Sequence, residues 1–72
     1  MEAKIDIKGD EIKIYINQKP HLHIRDRLLG YQSYNKENKW FTIEFYTRYK
    51  TITVEYDTQE KWETILKLID TI

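Results

Sequence analysis

Seventy-two residues, twelve of them basic and twelve acidic, with two histidines and no cysteine, leave room for one small core and for no disulfide. The formal charge of zero excludes the broad positive footprint of a general nucleic-acid or acidic-membrane binder. No apolar run approaches the roughly 20 residues of a spanning helix, and the opening MEAKIDIKGD alternates charge with isoleucine instead of forming a signal-peptide core. A cytoplasmic location is therefore expected, or the host cytoplasm for a phage-encoded chain. Eleven isoleucines, nine lysines and six tyrosines beside one alanine and one proline match the amino-acid bias of an AT-rich genome, such as that of a low-GC bacterium, its phages or an archaeal virus.

From Ala3 to Asn17 isoleucine recurs at every second position and is interrupted once, at Gly9-Asp10. That pattern predicts two strands joined by a two-residue type II′ turn, with glycine at the first central position. Pairing Lys8 with Glu11 then sets Ile7 against Ile12, Asp6 against Lys13 and Ile5 against Ile14, so apolar meets apolar and opposite charges face each other. Gln18-Lys19-Pro20 is expected to turn the chain, since proline is confined to sheet edges. His21 to Arg25 alternates again, with Leu22 and Ile24 on the isoleucine face and both histidines on the other. Arg25 to Gly30 breaks the alternation and reads as a bend, bulge or helical turn. Tyr31 to Tyr34 is a candidate further strand, and Asn35 to Lys39 reads as a polar loop.

Phe41, Ile43 and Phe45 share one strand face, while Trp40, Thr42, Glu44 and Tyr46 share the other. Ile52, Val54 and Tyr56 mirror the apolar set and predict a hairpin with Phe45 opposite Ile52, Ile43 opposite Val54 and Phe41 opposite Tyr56. Its tip is a four-residue loop, Thr47 to Lys50. Asp57 with Glu60 three positions later suggests a capping box. Beyond it Trp62, Ile65, Leu66, Ile69 and Ile72 form the stripe of an amphipathic helix, with Glu63 and Lys67 as an exposed pair.

The expected fold is α+β: one domain over 1–72, an antiparallel meander of four to five strands with one C-terminal helix packed on one face. The strands lie at about 3–8, 11–17, 21–25, 40–47 and 51–56, with 30–34 as a further candidate, and the helix at about 58–69. The ending from Thr53 to Leu66 resembles the last strand and capping helix of pleckstrin-homology-like domains over under a quarter of the chain. Those domains use seven strands, and neither their lipid binding nor any residue role is carried over.

Catalytic chemistry finds few materials here. There is no glycine-rich phosphate cradle, no cysteine nucleophile and a single serine, Ser33, outside any nucleophile elbow, so an enzyme is not expected and no cofactor is implied. His21-x-His23 has a spacing that metal sites use, and a third ligand would have to be Asp26 or Glu44, brought near by the fold. The face opposite the isoleucines, with Tyr15, His23, Trp40 and Tyr46, is the expected binding surface, together with Arg48 and Tyr49 at the hairpin tip. Exposed tyrosine and tryptophan give large contact area at small rotamer cost, which favours a protein partner or a second copy of the chain. Single-stranded nucleic acid stacked on the same aromatics is the alternative reading, but Glu44 and Glu55 interrupt the face and net charge is zero. A metal-dependent site at His21 and His23 is the second alternative.

Overall fold

A computed structural model describes residues 1–37 and 39–72. Six strands, β1 (Ala3–Lys8), β2 (Glu11–Ile16), β3 (Lys19–Ile24), β4 (Leu28–Lys36), β5 (Lys39–Thr47) and β6 (Thr51–Glu55), are followed by α1 (Gln59–Ile69). The strands form two antiparallel sheets, ordered β1-β2-β3 and β4-β5-β6, so the α+β class holds but the single meander becomes two. The chain changes sheet at Arg25 to Arg27, where the hydrophobic alternation breaks.

The first hairpin has the expected register, with Lys8 opposite Glu11, Ile7 opposite Ile12 and Ile5 opposite Ile14. Gly9 turns it with φ of +62°, and Asp10 is not among the positive-φ residues, as a type II′ turn requires. The next turn is tighter than Gln18-Lys19-Pro20. Asn17 and Gln18, at φ 51° and 68°, make a two-residue turn of the primed kind, and Lys19 already pairs with Ile16. Pro20 thus sits within β3, an edge strand, where its missing N–H costs nothing.

β4 is longer than Tyr31–Tyr34, taking in Leu28 at one end and Lys36 at the other. Lys39 likewise belongs to β5 and pairs with Lys36, so strand takes in both of these residues of the expected polar loop; Asn38, also part of it, lies outside the described residues. The β5–β6 register is as expected: Phe45 pairs with Ile52, Ile43 with Val54, and the Tyr56 amide donates to the Phe41 carbonyl at 2.9 Å. The Thr47 amide donates to the Lys50 carbonyl at 3.0 Å and closes the four-residue loop.

Ile12, Ile14 and Ile24 from the first sheet, Ile43 and Phe45 from the second, Tyr56, and Ile65 and Ile69 from α1 make one core. The helix reaches β1 at the edge of the first sheet and β5 at the centre of the second, and so joins them. Its stripe is as expected from Trp62 to Ile69, whereas Ile72 is exposed. The N-cap is Thr58, one residue after Asp57; its hydroxyl accepts from the Lys61 amide while the Asp57 carboxylate pairs with the Lys61 ammonium at 3.1 Å. Both residue types cap helices, and here Asp57 is engaged by the Lys61 ammonium while Thr58 takes the cap. Glu63 accepts instead from Gln59 Nε2 at 2.8 Å.

Candidate functional site

Three β-bulges decide which side chains leave the alternating pattern, as bulges do when they re-aim a residue. In β3, Ile14 faces Leu22 and Tyr15 faces Pro20, so His21 is the extra residue. In β4, Leu28 faces Thr47 and Gly30 faces Tyr46, which leaves Leu29 over. In β5, Trp40 and Phe41 together oppose Asn35. Phe41 takes φ of +45° there, a strained conformation for a bulky residue. It is held by the Tyr56 amide on its carbonyl and by the Trp62 ring, 5.9 Å away between centroids. Trp40 is left 60% exposed.

The expected aromatic face is divided. Tyr15 and His23 lie on the outer side of the first sheet, since Tyr15 pairs with Lys4 and His23 with Lys13 while the isoleucines turn inward. Trp40 and Tyr46 belong to the second sheet, whose inner side carries Ile43 and Phe45. The core lies between the two groups. Alternation does not record that these residues belong to separate sheets, and at Trp40 the bulge shifts the alternation itself. Thr42, expected outward beside Trp40, is only 2% exposed; its hydroxyl donates to the Trp40 carbonyl and its own carbonyl accepts from Trp62 Nε1.

On the outer side of the second sheet the polar groups interlock. The Tyr46 hydroxyl donates to Gln32 Oε1 at 2.9 Å, and Tyr34 bonds the Glu44 carboxylate. That bond, above all, pushes the Tyr34 phenol up to about 12. Tyr34 and Gln32 had been noticed only as strand residues. What identifies them is pairing across the hairpin, Tyr34 with Thr42 and Gln32 with Glu44, and pairing is not written in one strand's periodicity.

The histidines part company. His21 Nε2 lies 2.7 Å from the Tyr56 hydroxyl, in a cleft between the start of β3 and the start of α1. His23 Nε2 lies 3.2 Å from Glu11 Oε1 on the outer side of the first sheet. Among the described residues no three His, Asp or Glu side chains gather as a metal-ion site. Burial first, and then the charge of Lys61, lower the His21 pKa from its ordinary value, and burial raises that of Tyr56. The folded chain therefore favours neutral His21. The stability this contributes is complete above the ordinary histidine pKa and declines as pH falls through the window below it. Between about pH 7.5 and about pH 5.5 the urea midpoint of the natural chain should fall further than that of a His21→Gln variant. Parallel falls would remove this role.

At the far end of the second sheet, Arg48 Nη2 donates to Asp26 Oδ1 at 3.0 Å and ties the β5–β6 loop to the crossing between sheets. The Arg27 amide donates to the same oxygen at 2.8 Å, and these bonds hold the Asp26 carboxyl below its usual range. Tyr49 stands 81% exposed with the Arg48 guanidinium 5.4 Å above its ring. Arg48 and Tyr49 were expected at the tip; Asp26, weighed as a carboxylate for the histidines, pairs with Arg48 instead, because the crossing brings it there.

No protein-family model, curated protein or solved structure matches the chain. The likeness to pleckstrin-homology-like domains accordingly stays with residues 53–66. Among the described residues no helix is long and apolar enough to cross a membrane.

Proposed function

We propose that this chain is a non-enzymatic protein-binding module, an inhibitor or adaptor, whose contact surface is the outer side of the β4-β5-β6 sheet. The observation that carries the reading is Trp40, 60% exposed at one end of a strand whose other end carries Tyr46, fixed by a hydrogen bond to Gln32. An exposed tryptophan on the same strand as a tyrosine already held in place offers apolar contact with little entropy left to lose on binding. Glu44, beneath Tyr34, places negative charge in the middle of the surface and disfavours a phosphate backbone there.

The partner is another protein or a second copy of the chain, and the test separates the two. Sedimentation across a range of concentrations measures self-association, and affinity capture measures a foreign partner. Buried aromatic anchors are worth about 2 kcal/mol each, so a Trp40→Ala, Tyr46→Ala double variant should bind at least about 30-fold more weakly. Its circular dichroism should be unchanged. A folded double variant that binds as well as the natural chain would sink the proposal.

A further inference from the structure

The two segments that meet at the Asp26–Arg48 ion pair carry an uneven share of the charge. Arg25, Arg27, Arg48 and Lys50 lie within them against the single carboxylate of Asp26, leaving a formal −3 for the rest of a neutral chain. Asp26 offsets one of the four cations, Arg48, to which its Oδ1 is paired while also accepting from the Arg27 amide, and the segments keep a surplus of three positive charges. Beside the pair opens a groove of about 370 Å³, with Ile52, Tyr49 and the fully buried Ile24 along it and Arg25, Lys50 and the paired Asp26 among its lining.

We infer that this end of the molecule receives an acidic segment of a partner protein, one of whose apolar side chains enters the groove beside Ile52 and Tyr49. Charge complementarity selects the occupant. The cations meet carboxylates, Ile52 and Tyr49 meet an apolar anchor, and Glu44 and Glu55 stand against a nucleic-acid backbone followed from here along the sheet. The inference takes from the proposed function only that the partner is a protein; the surface is a different one, reached past Tyr46 along β5.

The test uses the full chain and a fluorescein-labelled peptide, Glu-Asp-Glu-Phe-Glu-Asp-Glu, with two comparison probes: the same peptide bearing alanine for phenylalanine, and a thymidine oligonucleotide. Amide shifts on adding the phenylalanine peptide should centre on Ile24, Arg25, Tyr49, Lys50 and Ile52. An Arg25→Gln, Lys50→Gln double variant, which leaves the Asp26–Arg48 pair intact, should lose about tenfold in affinity, whereas the Trp40→Ala, Tyr46→Ala variant should bind the peptide unchanged. The alanine peptide should bind several-fold more weakly. The inference is overturned by equal affinity for the two peptides, by tighter binding of the oligonucleotide, by shifts centred elsewhere, or by no saturable shift at about 1 mM peptide. None of these results bears on Trp40 and Tyr46, so the proposed function stands or falls separately.

Discussion

Replacing Phe45 with alanine should leave the chain largely unfolded at room temperature. Phe45 is fully buried at the centre of β5, paired with Tyr31 on one side and Ile52 on the other, in a core that includes residues of both sheets and of α1. Truncating such a phenylalanine costs about 3–5 kcal/mol, because apolar burial is lost and the surroundings close only partly over the space. A core of this size, with no disulfide to assist it, supplies about 3–5 kcal/mol in total. The two quantities match, so the expected result is loss of the cooperative urea transition and of dispersed amide signals, including those of β1 to β3. A variant that melts cooperatively and has lost less than about 1 kcal/mol would show that Phe45 is not central to the core.

Ile65→Ala is the second large effect, at about 2–5 kcal/mol. Ile65 is fully buried on the face of α1 that meets β1 and β5. The helix is eleven residues long, too short to persist without packing, so weakening its docking removes what joins the sheets along that side. Helical signal and the protection of amides in both sheets should decline together with urea. Protection lost from α1 alone, with both sheets as stable as before, would mean that the sheets hold each other without it.

The parts of this fold legible in the sequence are those where neighbouring segments explain each other. Ile5 against Ile14 and Phe45 against Ile52 were readable because each hairpin has two matching apolar faces and one short turn, and a slip by one residue would turn every side chain over. The helix was readable because Trp62, Ile65, Leu66 and Ile69 recur at helical spacing. Alternation records which side of a strand is buried but not which sheet the strand joins, so the partition of the aromatic face lay beyond it. Bulges add one residue to one strand only, and the sequence around His21 or Trp40 carries no mark of that beyond a proline in the first case. The Asp26–Arg48 pair spans 22 positions and exists only because the chain crosses between sheets beside the β5–β6 loop.

That crossing also bears on how the molecule assembles. Every paired strand lies next to its partner in sequence, across turns of a few residues, so each sheet can form from local hairpins with little loop-closure entropy to overcome. The remaining step is a docking, in which two meanders hinge about Arg25 to Arg27 while α1 comes down across them. Low contact order places such a chain among the faster-folding β-rich proteins, and its barrier should lie in bringing the halves together, not in building either one.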